Sequence, residues 1–426
     1  MQLLSKYFKL NTNYVLVLIL IFFTANTIPI LREIVSIVII TVGILFYYII
    51  RGNKFSKHYG VLLLIALAYT IGYFFQFHTV NLQFTIRILA FLTISYVVIR
   101  MTGLAMIDYF EDIVYKLSVI SLFLFVWQIV DFDSIFTING YIEKLLPFGE
   151  FGGSDNTSSV IFVIKDYAPD RNSGFMWEPG AFAAVLSFPI FFNLLKHRFV
   201  INKRLVVLII AMISTFSTMG YIVLLILGAF YYFNKVRRKN NVIVGILGLF
   251  VLIPLMIFVL QQDFMIKKIQ TEYMRVDEVI DLSQRKNDTK KSRMSLGRMA
   301  SLKVDVTDFF RYPIIGFGGQ DEALTKSDYI DLTRTNGWGR QLRTFGIIGV
   351  ILLIYNLMKT GRLYRRYYCV KKVEFYFIAI FFVFTFSNGV IMTPLFLCFQ
   401  WLGHIVKLDD KASGEKIILI SNQESV

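Results

Sequence analysis

The chain has 426 residues, of which 56% are hydrophobic and 17% are charged, and its mean hydropathy is +0.61. This low charged fraction excludes an ordinary soluble domain, and the lack of two-residue alternation excludes an outer-membrane barrel. The formal net charge of +15 is typical of basic cytoplasmic loops and does not indicate a nucleic-acid partner. We therefore predict an all-α polytopic integral membrane protein, with helices of about 20 residues crossing the bilayer.

The first part of the chain contains five apolar runs that predict membrane spans. Basic residues Arg51, Lys54 and Lys57 follow the second run, so this end is assigned to the cytoplasm by the positive-inside rule. No small-residue cleavage site follows the basic N-terminus, which predicts a retained first helix. The five spans are predicted at about 14–30, in a run ending at 50, and at 59–77, 82–99 and 115–130.

Residues 131–180 are predicted to form the first of two large extracytoplasmic loops. Most of this loop is rich in acidic residues, which fits an outer location. Asp131 and Asp133 have the spacing of a metal-bound phosphate site, but two acids at the end of a span are more often solvated. Residues 158–164 predict a short strand or a buried run.

Four further spans are predicted between the two loops. The sixth covers about 181–195 and the ninth about 242–260. The apolar block 205–233 is too long for one span and has basic residues at both flanks. It therefore predicts two short helices that turn at 217–220. A single span here would instead invert every later segment.

Residues 261–343 are predicted to form the second large extracytoplasmic loop. Helical spacing of apolar residues indicates an amphipathic helix at 265–280, which a polar linker at 284–293 follows. Ser295 is predicted to cap a second helix that runs to about Phe310.

The end of the chain predicts three more spans. A tenth span at about 345–358 leads to the strongest basic cluster, and a final hairpin turns near 387–389. In total we predict about 12 transmembrane helices with both termini cytoplasmic. Residues 1–407 would form a single polytopic membrane domain, and 408–426 a flexible cytoplasmic tail.

The stretch 171–184 carries the first candidate site residues. A polar loop with one guanidinium and one carboxylate runs through a Pro-Gly turn into an apolar span. Arg171 and Glu178 are therefore placed where water meets lipid. There they suit the charged head of a lipid-linked substrate, or they are ordinary interfacial charges.

The second loop carries the other candidates. Arg298, Arg340 and Arg343 stay charged, and their planar guanidinium groups match phosphate oxygens in pairs, so they suit a pyrophosphate. A solvated face or lipid-headgroup contact is the alternative for each. Asn336 and Trp338 form a plain turn, or Trp338 stacks on a sugar ring or anchors the interface. No nucleotide-binding loop occurs and the four histidines are scattered, so no metal or other cofactor is predicted.

Three motifs together resemble the O-antigen polymerase (Wzy-type) family, within the superfamily that also contains the O-antigen ligases. The first motif is Arg171-x2-Gly174-Phe175-x2-Glu178-Pro179-Gly180-x2-Ala183. The second is Ser295-x2-Arg298, followed by Pro313-x2-Gly316-x-Gly318. The third begins at Asn336 and continues with Gly346-x2-Gly349. A short hairpin turn, 216–220, is also similar, but Met219 stands where many family members carry arginine.

The resemblance implies a glycosyltransferase of the bacterial plasma (inner) membrane. It would transfer a growing glycan from undecaprenyl pyrophosphate to the non-reducing sugar of another lipid-linked repeat unit. The implied partners are undecaprenyl-pyrophosphate-linked oligosaccharides and membrane lipid. A protein that regulates chain length is a further candidate partner. O-antigen of lipopolysaccharide, capsule and exopolysaccharide all remain open as the product.

The residues suggest how such a transfer would proceed. Glu178 is the best-placed carboxylate to accept the proton of the acceptor hydroxyl. Arg171 and Arg298, with Arg340 or Arg343 as a further candidate, would neutralise the departing pyrophosphate without a metal. A single base favours direct displacement with inversion. Alternatively, Glu178 pairs with Arg171 and only fixes the loop. The predicted substrate-binding residues are Arg340, Arg343, Asn336, Trp338, Gly316 and Gly318.

Two other functions stay open. An O-antigen ligase would transfer finished polymer to a lipid A core, but ligases usually place a histidine before the asparagine of the third motif, where Thr335 stands here. A glycolipid flippase or other transporter would carry charges at mid-membrane and often internal repeats. Arg87 is a rare charge within a span, and no repeat is visible.

Overall fold

The computed structural model of the protein describes residues 11–146, 156–236, 292–295, 297–320, 330–387 and 389–406. Within these ranges most of the chain is helical. Five of the described helices are long and apolar enough to cross a membrane, and four shorter apolar helices accompany them. The protein is therefore a helical membrane protein.

The helices and strands of the described residues are as follows. In chain order the helices are α1 (Thr12–Ala25), α2 (Ile34–Ile50), α3 (Lys57–Phe77), α4 (Leu82–Thr102), α5 (Ala105–Val130), α6 (Phe132–Leu145), α7 (Pro179–Lys196), α8 (Lys203–Ser214), α9 (Thr218–Tyr231), α10 (Arg298–Arg311), α11 (Gly337–Tyr368), α12 (Val373–Ser387) and α13 (Pro394–Ile405). The antiparallel strands are β1 (Asn156–Ser158) and β2 (Val163–Lys165), and the parallel strands are β3 (Ser292–Ser295) and β4 (Ile330–Thr333).

Eleven of the predicted spans coincide with a described helix. The two short helices predicted in 205–233 are confirmed as α8 and α9. The predicted strand or buried run at 158–164 is confirmed as part of the β1–β2 hairpin. The predicted span at 242–260 and the predicted helix at 265–280 lie outside the described residues.

The sequence prediction was wrong at the start of the second-loop helix. Ser295 does not cap it, because Ser295 pairs with Thr333 in the β3–β4 ladder. The N-cap is Gly297, and α10 begins at Arg298. The first loop also contains a helix that the sequence analysis did not predict, α6, which the Asp131 side chain caps by accepting from the Ser134 amide.

Helix α7 lies at the centre of the bundle. Every residue from Pro179 to Leu195 is buried, so this helix faces neither water nor lipid. Its Phe188 ring contacts five aromatic rings of the last two helices, those of Phe377, Phe381, Phe384, Phe396 and Phe399. Helix α3 instead exposes large apolar side chains such as Leu64 and Phe75, as a helix in contact with lipid does.

Several inter-helix links meet at one end of the bundle, which we call the loop end. The α3–α4 link joins the second loop there, since the Asn81 amide donates to the Gly319 carbonyl at 2.7 Å. The α1 end joins the α12–α13 link through Thr24 and Thr393, whose hydroxyls are 3.0 Å apart. Arg171 and Glu178 of the first large loop line one cavity with Arg298 of the second, so both large loops lie at the same end of the bundle.

Helix α11 is kinked at Gly346, which has φ +62°. The segment from Pro313 to Gly318 packs across this kink and forms hydrogen bonds with the backbone groups that the kink leaves without helical partners. The amide of Phe317 donates to the Arg343 carbonyl at 2.7 Å, and the amide of Ile347 donates to the Pro313 carbonyl at 2.8 Å. Broken helices in membrane proteins require such internal partners for the freed backbone groups. The kink is thus stabilised by hydrogen bonds within the fold.

Candidate functional site

Arg171, Glu178 and Arg298 line one small cavity at the loop end, with a volume of about 90 Å³. We call it the arginine–glutamate pocket. Arg171 and Glu178 come from the first large loop and Arg298 from the second, so the structure brings together candidates that are far apart in sequence. The other lining residues are Tyr167, Ala168, Pro179, Gly180, Ser217, Thr218, Met219 and Ser387.

Arg171 is held by a loop that is bonded to two helices. Its Nε donates to the Thr215 carbonyl at 3.2 Å, in the turn between α8 and α9. The next residue, Asn172, is fully buried and fixes the loop further. Its Oδ1 accepts from the Ser121 hydroxyl at 2.7 Å, and its Nδ2 donates to the Ser214 hydroxyl at 2.9 Å. The guanidinium therefore has a set position at the edge of the bundle.

Arg298 is the first residue of α10 and is held between two other helices. Its Nε donates to the Ser387 carbonyl, the last residue of α12, at 3.2 Å. Its own carbonyl accepts from Nδ2 of Asn336 at 3.3 Å. Asn336 is buried and also caps α11, since its Oδ1 accepts from the Gly339 amide at 2.9 Å. The predicted site residue Asn336 thus positions Arg298.

Glu178 occupies the N-cap position of α7, but its side chain does not cap the helix. The predicted alternative, an ion pair with Arg171, is not among the ion pairs of the described residues. The two groups still interact at longer range. Burial lowers the pKa of the Arg171 guanidinium, the carboxylates of Asp170 and Glu178 raise it, and Arg298 lowers it. The Glu178 carboxylate therefore lies beside two cations without being bonded to Arg171.

Three helices begin at the arginine–glutamate pocket. Pro179 and Gly180 open α7, Thr218 and Met219 open α9, and Arg298 opens α10. The N-terminus of a helix carries partial positive charge and unbonded amide groups, which favour a bound anion. Together with the two guanidinium groups, these helix ends make the pocket suited to a phosphate-sized anion.

A second, larger cavity of about 600 Å³ opens at the same end. We call it the arginine-rich cavity because four arginines line it: Arg32, Arg87, Arg340 and Arg343. None of the described residues that line it is Asp or Glu. The predicted candidates Arg340 and Arg343 therefore line a cavity.

Some residues that line the two cavities are adjacent, or nearly adjacent, in the sequence. Trp177 lines the arginine-rich cavity, and the next residue, Glu178, lines the arginine–glutamate pocket. In the same way Gly389 lines the large cavity and Ser387 the small one. At these two places only one or two residues along the chain separate the linings of the two cavities.

A buried carboxylate behind the large cavity holds Arg343. Nη1 of Arg343 donates to Oδ1 of Asp305 at 2.9 Å, and Nη1 of Arg334 donates to the same oxygen at 2.9 Å. Asp305 is fully buried, and its Oδ2 has no hydrogen-bond partner. Burial raises the pKa of the Asp305 carboxyl, while Arg343 and Arg334 lower it to a smaller extent. Asp305 thus fixes two arginines of the second loop.

Four predicted binding residues lie outside the linings of the two cavities: Asn336, which holds Arg298 as described above, Trp338, Gly316 and Gly318. The Trp338 indole donates to the Phe382 carbonyl at 2.9 Å and packs on the Phe382 ring, so it anchors α11 to α12. A side chain at Gly316 or Gly318 would collide with the α11 backbone or with the Tyr73 ring. These two glycines permit the crossing at the α11 kink, and substrate contact by them stays a prediction.

Sequence reasoning did not assign Arg32, Arg87 or Trp177 to the site. Arg87 was noted as a rare charge within a span, and such a charge is itself a signal of function. Trp177 stands beside Glu178 in the first motif. Arg32 sits in a short link between two spans, where nothing in the sequence distinguishes it from an ordinary interfacial charge.

The chain was also compared with known proteins. No protein-family model, no curated protein and no solved structure matches it.

Proposed function

We propose that the protein is a membrane glycosyltransferase that polymerises undecaprenyl-pyrophosphate-linked oligosaccharide repeat units into a surface polysaccharide. It would act on the outer face of the bacterial plasma (inner) membrane, with about 12 spans, both termini in the cytoplasm and the loop end outside. The observation that carries the proposal is the meeting of Arg171, Glu178 and Arg298 in one pocket. The motif resemblance to O-antigen polymerases supplies the substrate class.

In the proposed reaction the acceptor hydroxyl oxygen attacks the anomeric carbon of the donor glycan. The bond between that carbon and the pyrophosphate oxygen breaks, and undecaprenyl pyrophosphate leaves with the electron pair. Arg171 and Arg298 stabilise the charge that develops on the leaving group, as do the helix N-termini around the pocket. Glu178 accepts the proton of the attacking hydroxyl. A single displacement inverts the anomeric configuration, and the arginines do this work without a metal.

The position of Met219 bears on the number of cations in the pocket. Many members of the resembled family carry arginine at this place in the hairpin turn, whereas Met219 lines the pocket here. Arg171 and Arg298 then supply both of the guanidinium groups that line it. We therefore expect the loss of either one to be severe.

The first test is polymer length in cells that produce Arg171→Ala, Arg298→Ala or Glu178→Gln at normal protein levels. Removing one charge that stabilises a transition state costs about 10²–10³-fold in rate, so we expect single repeat units to replace long chains. Arg51→Ala is the matched control, because Arg51 lies at the opposite end and stacks over Tyr47. Wild-type chain lengths in all three site variants would contradict the site.

A second measurement separates this proposal from its two alternatives. Purified protein and a synthetic lipid-linked repeat unit should yield lengthened lipid-linked glycan if the protein is a polymerase. A ligase would leave long lipid-linked polymer to accumulate in a deletion strain, and a transporter would move the lipid without forming a glycosidic bond. Either result would overturn the proposed reaction.

A further inference from the structure

The arginine-rich cavity has more positive charge than the proposed reaction uses. The arginine–glutamate pocket already offers Arg171, Arg298 and three helix N-termini to the pyrophosphate. Four other arginines line the neighbouring cavity of about 600 Å³. Asp305 balances one of these charges, that of Arg343. A cavity whose lining carries charges of one sign attracts ligands of the opposite sign.

The position of the four arginines is set by different elements. Arg32 follows α1 and its guanidinium donates to the Asn26 carbonyl, while Nη2 of Arg87 in α4 donates to the Arg32 carbonyl at 3.2 Å. Arg340 and Arg343 lie on α11 before its kink, and Asp305 holds Arg343. Segments from both ends of the chain thus supply cations to a single volume.

The rest of the lining suits a sugar. Aromatic rings offer flat apolar surfaces to sugar rings, and amide side chains both donate to and accept from hydroxyl groups. A cavity of 300–1,000 Å³ is typical for a ligand larger than a phosphate group. The half-buried aromatic lining residues are Phe84, Phe91, Trp177 and Phe345, and the amide residues are Asn26, Asn81, Gln83, Gln320 and Gln341.

We propose that the arginine-rich cavity binds an acidic oligosaccharide, so that the repeat unit polymerised by this protein carries carboxylate-bearing sugars. This inference rests on the proposed function and names the substrate class of the same site. Arg32 and Arg87 join Arg340 and Arg343 as residues that select the acidic glycan, because a guanidinium pairs with a carboxylate in a bidentate manner. The glycan then extends past Trp177 toward Glu178, where the bond is made.

Binding to the purified full-length protein in lipid nanodiscs tests the proposal without turnover. The probes are trigalacturonate, which is acidic, maltotriose, a neutral trisaccharide, and inorganic pyrophosphate, each titrated by calorimetry. We expect trigalacturonate to bind at least about tenfold more tightly than maltotriose, since hydrogen bonds to charged groups are the stronger ones. Equal affinities would overturn the proposal.

Variants then locate the binding. Arg87→Gln and Arg32→Gln should each weaken trigalacturonate binding by about tenfold and leave pyrophosphate binding unchanged. Arg171→Gln should do the reverse, and Arg51→Gln, at the opposite end, should change neither affinity. Arg87→Lys keeps the charge and should retain the preference for the acidic trisaccharide, which controls for misfolding.

Two outcomes separate the possible errors. If pyrophosphate displaces trigalacturonate and Arg87→Gln weakens both, the cavity takes a diphosphate and the acidic-glycan proposal fails. If the acidic preference holds but purified protein forms no glycosidic bond, the proposed function fails while the glycan site stands.

Discussion

At the residue scale, Asp305 couples the second loop to the arginine-rich cavity. Its Oδ1 accepts from both Arg343 and Arg334, so one buried carboxylate sets the position of two guanidinium groups. Only Arg343 reaches the cavity lining, and Asp305 itself does not. Asp305 is therefore a positioning residue that acts through Arg343.

Asp305→Asn should weaken the site and change its pH dependence. The amide removes the negative charge that Arg343 and Arg334 share, and breaking such a buried ion pair costs about 3–5 kcal/mol of stability. Because burial raises the Asp305 pKa, the wild-type carboxyl takes up its proton at a higher pH than an ordinary aspartate. Protonation releases Arg343, so wild-type polymerisation should fall on the acid side, measured as initial rate against pH with purified protein.

In Asp305→Asn the group is neutral at every pH, so this acid-side decline should be missing and the rate low throughout. Asp166→Asn is the control, because Asp166 is exposed in the first loop. An unchanged acid limb in Asp305→Asn would show that another group causes it.

The residues found from sequence and those missed differ in a physical way. Arg171 and Glu178 stand where a polar loop enters an apolar span. Placing a charge there costs free energy, and this unfavourable placement can be recognised within one short stretch of sequence. Arg32 and Arg87 become neighbours only when α4 packs beside the α1–α2 link. Their shared cavity depends on tertiary contacts that no local pattern encodes.

At the element scale, the crossing of α11 by the segment 313–318 fixes where Arg340 and Arg343 point. The Tyr73 hydroxyl donates to the Thr344 carbonyl at 2.9 Å, and the Gln76 amide donates to the Gly316 carbonyl at 2.9 Å. Helix α3 is thus hydrogen-bonded to both α11 and the segment 313–318. These bonds hold the part of α11 that carries Arg340 and Arg343 in place.

Gly346→Ala should break the junction. The backbone there has φ +62°, and an added Cβ would lie 2.3 Å from the Ile314 carbonyl oxygen, which is backbone and cannot turn away. A left-handed conformation alone costs an L-residue roughly 1–2 kcal/mol, and the collision adds to it. We expect a large drop in the thermal unfolding midpoint of the detergent-solubilised protein.

Gly43→Ala is the matched control for this prediction. Gly43 also lies in an apolar helix, but a Cβ there has no atom within 4 Å. Replacing glycine by alanine in a regular helix should leave the midpoint unchanged or raise it. Equal midpoints for Gly346→Ala and wild type would contradict the role given to the kink.

Helices could be predicted from the sequence where the hydrophobic runs were long. The predictions were wrong or incomplete where two local signals favoured different structures. The break between α8 and α9 was predicted from the basic flanks of 205–233. Ser295 has the chemistry of a helix cap, yet ladder pairing with Thr333 wins, and α10 starts three residues later. Helix α6 was missed because its short apolar stripe, buried at Ile135 against Phe162, lies in a loop rich in acids.

At the scale of the whole molecule, the proposed function depends on both large loops lying on one side of the membrane. The predicted topology requires it, and the contacts of the loop end bring the loops together. The basic cluster at the end of α11 lies at the other end of the bundle, because the 32-residue α11 begins at Gly337, which lines the cavity, and ends at Tyr368. At ~1.5 Å per residue this helix is long enough to cross a bilayer.

Labelling with a membrane-impermeant maleimide in intact cells tests this arrangement. Cys369 is exposed at the basic end, whereas Cys398 is buried, so the natural protein already carries one internal reporter. We expect Cys369 to react only after the cells are permeabilised. In a Cys369→Ser background, single cysteines at three exposed loop-end positions should react in intact cells: Thr79, Asp166 and Thr307.

The pattern of labelling tests both the orientation of the bundle and whether the two large loops lie on the same side of the membrane. If all three loop-end cysteines react only after permeabilisation while Cys369 reacts in intact cells, the bundle is inverted and its pocket faces the cytoplasm. Lipid-linked repeats presented on the outer face would then not reach Glu178. If Asp166→Cys and Thr307→Cys label from opposite sides, the two loops cannot share the arginine–glutamate pocket. Labelling of all three from outside places both arginines where an undecaprenyl pyrophosphate headgroup would meet them.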